Sequence, residues 1–489
     1  MKRFSRAFFV LTFLCLFVLQ GCVEPSFSSE SSICAHAYGE WSFTAEPTCA
    51  ASGVRTRICT LCAEGEEETV PATDHRFTNY TPNNDATCTN DGTMTAFCDY
   101  GCGETDVLDN VGGALGHNFI DSVCTRCLRT YSVGLLYQLD PEEATYSLTG
   151  IGTCADTDIC IPPTHEGLPV TSIGDSAFEN CKSLTSITIG SNVTSISVTA
   201  FFHCTNLMNI LVNEANTVYC DIDGNLYQHN TDSTALILIR YAPGKTATAF
   251  TTPNQTTSIG YSAFYNSRNL TSITLGSGVE SIDSGAFTDL GNLTSIVIGD
   301  GVKTIGRGAF FDCDNLASIV IPDSVVSIGK EAFYHCRNLK TVTLGSGIES
   351  IGSYAFALCE SLTSIEIPDS VTDIGESAFY YCDRLTTVTL GSGVATIDFY
   401  TFANCEYLTS IMIPESVTAI NEGAFARCNK LATVYYGGAD ETAWNKIRIG
   451  YYNPSLTSAK RYYNSNTEPT ASGSYRNYDE NGVPTVLDA

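Results

Sequence analysis

Basic residues are scarce in this chain: 25 lysines and arginines are outnumbered by 53 aspartates and glutamates, which gives a formal net charge of −28. Such a surface repels phosphate backbones and anionic lipid headgroups, so the charge argues against nucleic acid as a partner. Only 7 histidines occur in 489 residues. The chain has no phosphate-binding loop, no Gly-x-Ser-x-Gly motif and no dinucleotide fingerprint. The sequence therefore predicts a protein that is not an enzyme.

The amino terminus has the layout of an export signal. Three basic residues are followed by an uncharged, mostly apolar run over residues 7–19, which is too short to span a bilayer comfortably. The run leads into Leu-Gln-Gly-Cys, which resembles the lipobox of bacterial lipoproteins. That resemblance implies removal of residues 1–21 and a diacylglycerol on Cys22, with residues 22–33 as a flexible tether. We expect a cell-surface protein that meets the membrane only through this lipid; a plain secretory signal is the alternative.

Cysteine is abundant, with 22 in the chain. Nine of them recur with three histidines over residues 34–130, in two units spaced by 39 residues and a shortened third. One histidine with three thiolates completes a tetrahedral zinc site; disulfides, which an exported location favours, and free thiols are the alternatives. A unit with so small a core needs a metal ion or disulfides to be stable. We therefore expect a Cys-rich β domain in which these residues have a structural role. The candidates are His36, Cys49, Cys59 and Cys62 in the first unit, His75, Cys88, Cys98 and Cys102 in the second, His117, Cys124 and Cys127 in the third, and Cys34.

A 23-residue period dominates residues 168–436. Its ten units share a leucine and a phenylalanine, and the positions three and five after the leucine are apolar between polar neighbours. This alternation predicts a short, half-buried strand, which a glycine or proline ends in nine of the ten units. Such a period is typical of stacked coils rather than of one globular core. The shared residues are Leu184, Leu207, Leu270, Leu293, Leu316, Leu339, Leu362, Leu385, Leu408 and Leu431, with Phe178, Phe201, Phe264, Phe287, Phe310, Phe333, Phe356, Phe379, Phe402 and Phe425.

One unit reads Leu-x-x-Ile-x-Ile-Pro-x-x-Val-x-x-Ile-Gly-x-x-Ala-Phe-x-x-Cys from Leu362 to Cys382. This pattern resembles the BspA-like family of bacterial surface leucine-rich repeats. The resemblance implies a mostly β repeat solenoid of about ten coils with short turns or helices. It also implies an N-terminal cap over residues 134–167 and a C-terminal cap over residues 437–464.

Two segments depart from the repeat. Residues 213–255 interrupt the period, and their alternating apolar residues predict a hairpin that protrudes from the rod. Residues 465–489 form a tail after the C-terminal cap.

Cysteines also recur inside the repeat, three residues after the phenylalanine in eight coils. Neighbouring coils would bring them to about 5 Å, within the range for disulfides. A small buried side chain at a tight stacking position is the interpretation that we favour. Cys154 and Cys160, near the N-terminal cap, are a separate candidate disulfide.

The outward positions of the strands predict where a ligand would bind. The position two after the leucine is serine or threonine in nine of ten units, and the position four after it varies. Such a face suits an extracellular protein or glycan, although strand propensity alone also favours threonine. The family resemblance favours adhesion; a structural envelope spacer and ligand capture for nutrient uptake are the alternatives. The candidate contacts are Thr188, Thr274, Thr343, Glu366, Thr389, Met412 and Tyr435.

Overall fold

The structure is a computed structural model. It describes residues 37–47, 49, 51–61, 63–72, 74–83, 92–99, 102, 104–111, 119–120, 123–124, 130–230, 235–464, 474–478 and 484–486. The predicted export signal, Cys22 and the tether lie outside these residues. The chain divides into two compact units, one of Met1–Tyr80 and Ala96–Asp106, the other of Thr81–Thr95 and Val107–Ala489. Within the described residues, no helix is long and apolar enough to cross a membrane.

Short antiparallel strands make up the cysteine-rich region. The first sheet contains β1 (Ser42–Ala45), β2 (Gly53–Ile58) and β3 (Gly65–Val70); the second contains β4 (Thr81–Pro82), β5 (Gly92–Phe97) and β6 (Thr105–Val111); β7 (Phe119–Ile120) pairs with β8 (Val123–Cys124). Most residues of the first sheet are exposed or half-buried. Arg55 and Arg57 on β2 donate to Glu68 and Glu66 on β3, and both guanidinium groups lie over the Trp41 ring. This sheet therefore gains little from apolar burial.

Each regular coil of the long unit adds one strand to each of two parallel sheets. Successive strands pair with a shift of 23 residues, as Ser272 pairs with Ser295 and Ser281 with Thr304. We call the first strand of each coil its face strand and the second its back strand. The predicted β solenoid is confirmed, and it has about 14 turns rather than ten. The number is larger because the segments before, within and after the regular repeat complete turns of their own.

The face strands are β11 (Asp158–Cys160), β14 (Ser186–Ile189), β16 (Asn209–Val212), β20 (Ala249–Thr251), β22 (Ser272–Thr274), β24 (Ser295–Val297), β26 (Ser318–Val320), β28 (Thr341–Thr343), β30 (Ser364–Glu366), β32 (Thr387–Thr389), β34 (Ser410–Ile413), β36 (Thr433–Tyr436) and β38 (Lys460–Asn464). The back strands are β13 (Leu168–Ile173), β15 (Ser195–Ile196), β19 (Leu236–Arg240), β21 (Thr256–Ile259), β23 (Ser281–Ile282), β25 (Thr304–Ile305), β27 (Ser327–Ile328), β29 (Ser350–Ile351), β31 (Asp373–Ile374), β33 (Thr396–Ile397), β35 (Ala419–Ile420) and β37 (Arg448–Ile449). The remaining elements are β9 (Leu136–Asp140), β10 (Thr145–Gly150), β12 (Thr164–His165), β17 (Tyr219–Ile222), β18 (Asn225–His229), α1 (Glu441–Trp444), α2 (Pro454–Ser458), β39 (Ser474–Tyr478) and β40 (Pro484–Val486).

A column of aromatic rings fills the centre of the coils. The eight phenylalanines from Phe264 to Phe425 are buried, and adjacent rings stack with centroids 4.9 to 5.5 Å apart. This distance is close to the spacing of about 4.8 Å between hydrogen-bonded strands, so the column extends coil by coil. Burying each ring stabilises the fold by roughly 1.5–3 kcal/mol. Tyr241, which lies 23 residues before Phe264, continues the column into the inserted segment with a centroid distance of 5.4 Å.

Each regular coil also turns at a residue with positive φ. The residue two after the phenylalanine has φ between 59 and 66° in all ten coils, and none of the ten is glycine. Seven of them are asparagine, aspartate or histidine, which tolerate this region better than most residues, as Asn180 and Asp289 illustrate. Leu358 and Tyr381 are not of these types. The shape of the stacked coil therefore imposes this conformation even on residues that disfavour it.

The segment 213–255 does not protrude as the sequence suggested. β17, β18 and β19 form an antiparallel meander, and β19 then pairs in parallel with β21, which incorporates the segment into the solenoid. Neighbouring residues on β18 point to opposite sides: Leu226 packs into the core that begins at Leu135, and Tyr227 into the core that extends to Ala459. Protrusion would expose both side chains, so apolar burial holds the segment in the stack.

Both ends of the solenoid are closed by irregular segments. At the amino-terminal end, β9 pairs with β10, which pairs in parallel with β13. At the other end, Trp444 is buried and its ring lies 5.2 Å from that of Tyr436. The Asn453 side chain accepts a hydrogen bond from Phe425 N at 2.8 Å and donates to Asn421 O at 2.9 Å. These bonds satisfy backbone groups of the last regular coils that lack a following coil.

Glycines in the turn after the back strand stack so closely that a side chain would collide. A Cβ on Gly329 would lie 2.6 Å from the carbonyl carbon of Gly306. We expect Gly329→Ala to lower the free energy of unfolding by roughly 1–3 kcal/mol, because the neighbouring backbone must move. Gly291→Ala is the matched control, since nothing lies within 4 Å of its Cβ. Chemical denaturation of both variants checks this, and equal losses of stability would contradict it.

Candidate functional site

The face strands in the middle of the solenoid present an open surface. Thr274, Thr343 and Glu366 are exposed and Thr389 is half-buried, in agreement with their outward positions in the repeat. We call the surface of β22 to β32 the central face. Its serines and threonines alternate with buried apolar residues that point into the core.

The face is closed at both ends, so two predicted contacts were wrong. Thr188 is only 3% exposed and Met412 only 5%. Thr188 lies in register between Cys160 and Leu211, which is also buried. Met412 lies between Thr389 and Tyr435 in register. The last predicted contact, Tyr435, is half-buried.

The hairpin β17–β18 accounts for the closure beside β16. Ile210 N donates to Gly224 O at 2.8 Å, and Val212 N donates to the Asp221 carboxylate at 2.7 Å. Burial raises the pKa of Asp221 to about 6, although the bond from Val212 opposes this rise. The register of this hairpin has no signal in the sequence, so the burial of outward residues on the neighbouring strands could not be predicted.

A groove of about 750 Å³ crosses the central face over β24, β26 and β28. Val297 on β24 and Val320 on β26 line the groove. Their side chains are 57% and 63% exposed, although both are large apolar residues. Asp300 and Asp323 are exposed residues that also line the groove. The amide and hydroxyl of Ser346 donate to Asp323 and hold the pKa of that carboxyl below its usual range. The groove thus combines an apolar floor with two carboxyl groups, those of Asp300 and Asp323.

The groove lies where the sheet of face strands is interrupted. In the described sheets, β24 and β26 lie next to each other but are not paired by backbone hydrogen bonds. The same is true of β28 and β30. At both places a coil that turns at glycine is followed by one that turns at proline: Gly299 by Pro322, and Gly345 by Pro368. A second hollow of about 330 Å³, lined by Thr343 and Glu366 among others, lies at the later interruption.

The cysteines of the repeat are buried free thiols. Cys336 Sγ donates to Phe310 O at 3.1 Å, and six of its equivalents make the same bond to the coil before. Burial raises the pKa of Cys336, Cys382 and Cys405 well above the ordinary thiol value. These thiols therefore act as small buried side chains rather than as a disulfide ladder.

Cys154 and Cys160 are also free thiols, so the disulfide considered for them is not formed in the structure. Cys160 is buried at the end of β11. Cys154 is half-buried against the same core cluster.

Four candidates in the cysteine-rich region converge. The ligand atoms of Cys49, His75, Cys98 and Cys102 all lie within 4.8 Å of one another. Cys49 Sγ is 3.4 Å from Cys98 Sγ, and Cys102 Sγ is 3.4 Å from His75 Nδ1. Burial and the neighbouring Cys102 and Cys98 thiols raise the pKa of the Cys49 thiol to about 12. This set takes one cysteine from the first sequence unit and three residues from the second.

The other candidates in this region are less well placed or outside the described residues. Cys59 is buried and is not part of the cluster. Cys124 ends β8, but its side chain is outside the described part of the chain. The candidates whose positions fall outside the described residues are Cys34, His36, Cys62, Cys88, His117 and Cys127.

Comparison with known families agrees with this geometry. The family described as BspA type leucine rich repeat region matches residues 157–234, 243–359 and 326–442 in six copies, which is more than half of the chain. This chain belongs to the BspA-type leucine-rich-repeat family. The resemblance inferred from the repeat pattern is therefore confirmed.

Solved structures similar to this BspA-type chain are also leucine-rich-repeat proteins. One from Bacteroides ovatus is 23% identical with a TM-score of 0.42, over 65% of this chain and 89% of that one. A leucine rich cell surface protein from Faecalibacterium prausnitzii is 24% identical with a TM-score of 0.34, over 69% of this chain and 97% of that one. Comparison with curated proteins gives no match. BspA-type solenoids are binding scaffolds in general, and no enzymatic family is indicated.

The buried thiols of the solenoid should resist alkylation. When the native chain is treated with iodoacetamide at about pH 8, we expect Cys336, Cys359 and Cys382 to stay unmodified, because they are buried and protonated. Cys181, which is half-buried at the equivalent position of an early coil, is the internal comparison and should react faster. Peptide mass spectrometry before and after denaturation gives the rates. Equal rates in the native chain would show that the coils do not stack as described.

Proposed function

We propose that this chain is a cell-surface protein that binds an extracellular protein or glycan through the central face. The observation that carries the proposal is the groove over β24, β26 and β28, whose floor exposes Val297 and Val320. The other apolar residues of these three face strands are buried, except Val342, which is partly buried. Exposed apolar residues beside polar ones are the usual composition of a recognition surface.

The chemistry of the groove indicates what a ligand must offer. Val297 and Val320 need an apolar partner, and Thr343 supplies a hydroxyl at the side of the groove. Asp300 and Asp323 favour hydrogen-bond donors or positive charge at the rim. A protein segment with apolar and basic side chains meets all of these needs, and a glycan meets the demand for hydroxyl donors.

The proposed location at the cell surface rests on the amino-terminal sequence. A lipid on Cys22 would hold the chain to the membrane, with residues 22–33 as the tether. The acidic net charge of −28 does not favour adsorption to anionic lipid, so the lipid would be the only membrane contact.

Binding can be tested with the purified chain on extracellular-matrix proteins, mucin and a glycan array at physiological salt. We expect saturable binding to at least one of them. Changing Thr343, Glu366 and Thr389 together to lysine should weaken it about tenfold or more, a loss of roughly 1.4 kcal/mol or greater, because bulk and positive charge enter the face. Val320→Lys should act in the same direction through the groove floor.

The matched control for Val320→Lys is Thr372→Lys, which adds the same single positive charge at an exposed position beside a back strand. Equal losses in this control and in the face variants would contradict the location of the site. Saturable binding of small peptides or glycans only would favour ligand capture for nutrient uptake. An absence of binding to every probe would favour the structural spacer.

A further inference from the structure

The four-residue cluster in the cysteine-rich region has the dimensions of a zinc site. Zinc bound by three thiolates and one imidazole has bonds of about 2.3 Å to sulfur and about 2.0–2.1 Å to nitrogen, which places tetrahedral ligand atoms roughly 3.5–3.8 Å apart. The two distances of 3.4 Å, between Cys49 Sγ and Cys98 Sγ and between Cys102 Sγ and His75 Nδ1, are close to these values. These two pairs would move slightly apart around an ion, and all four ligand atoms lie within 4.8 Å of one another.

Backbone and side-chain contacts hold the segments of two ligands, His75 and Cys98, beside each other. Asp99 N, directly after Cys98, donates to Arg76 O, directly after His75, at 2.8 Å. The Arg76 and Asp99 side chains also form an ion pair at 3.5 Å, and Thr78 donates to the Asp99 carboxylate. These contacts place the histidine segment beside the segment that carries Cys98.

The same backbone bond occurs one repeat earlier. Thr60 N donates to Ala37 O at 2.9 Å, and these two residues lie 39 positions before Asp99 and Arg76. The pairing of the histidine segment with the cysteine hairpin is therefore a property of the repeat. Cys49 differs, because it lies in the loop between β1 and β2 of the first repeat while its sulfur joins the ligands of the second.

We propose that Cys49, His75, Cys98 and Cys102 bind one structural zinc ion that cross-links consecutive repeats. The ion would supply the stability that the nearly coreless first sheet lacks. Since all four protein ligands fill a tetrahedral shell, the site has no open position for a reacting water.

Metal content of the full chain, purified without chelator and measured by inductively coupled plasma mass spectrometry, tests the cross-repeat assignment. We expect Cys49→Ser and Cys98→Ser each to lose one zinc equivalent, and the double variant to lose no more than either single one. Cys181→Ser, at a half-buried thiol of the solenoid, is the control and should keep the full zinc content.

The assignment would be overturned if Cys49→Ser kept all its zinc, or if the Cys49/Cys98 double variant lost more zinc than either single variant. X-ray absorption of the unaltered chain needs no variant: we expect about three sulfur neighbours and one nitrogen per zinc. A metal-free chain with a Cys49–Cys98 disulfide in non-reducing peptide mass spectrometry would also overturn it. An unchanged thermal transition of the solenoid shows that a variant that loses zinc is still folded there.

Discussion

The spacing between hydrogen-bonded strands, about 4.8 Å, is the constraint on which the solenoid depends. Every coil must repeat its backbone path at this distance, so each position of the repeat stacks on its own copy. Aromatic rings satisfy the constraint because their stacking distance of 4.9 to 5.5 Å nearly equals it. Gly329 satisfies it by having no side chain, and Cys336 by being small and by donating to the carbonyl of the coil before. Stability is therefore a sum of similar interfaces between neighbours rather than a property of one core.

The same stacking decides which surface is free for recognition. In each face strand, one set of alternate side chains is buried in the core and the other set is exposed. A fully regular solenoid would therefore have an exposed sheet surface along its whole length. The regularity is broken towards both ends, where residues such as Leu211 and Met412 are buried although the repeat alone would expose them. What remains open is the central face, and its groove coincides with interruptions of strand pairing near Pro322 and Pro368. Recognition is thus proposed where the repeat is least regular.

Much of the fold could be predicted from the sequence, because a residue pattern that repeats every 23 positions indicates that each of these positions has the same surroundings in every coil. The buried Leu and Phe positions, the short strands and the small buried cysteines all follow from the 23-residue period. The burial of Thr188 could not be predicted, since it depends on how residues far away in the sequence pack. Tyr241 could have been found, because it lies one period before Phe264. The grouping of Cys49 with the second repeat has no local signal: it depends on how one loop folds against the following unit.

Hydroxyl-radical footprinting of the native chain, read by peptide mass spectrometry, tests most directly whether the open surface is confined to the central face. We predict that Val297 and Val320 are labelled while Met412 and Leu211 are protected. Methionine oxidises more readily than valine, so protection of Met412 could not come from low intrinsic reactivity. Met208, which is 43% exposed, serves as the reactive methionine within the same chain. Labelling of Met412 as fast as Met208, or protection of Val297 and Val320, would contradict the closed ends and the open centre on which the proposed binding site depends.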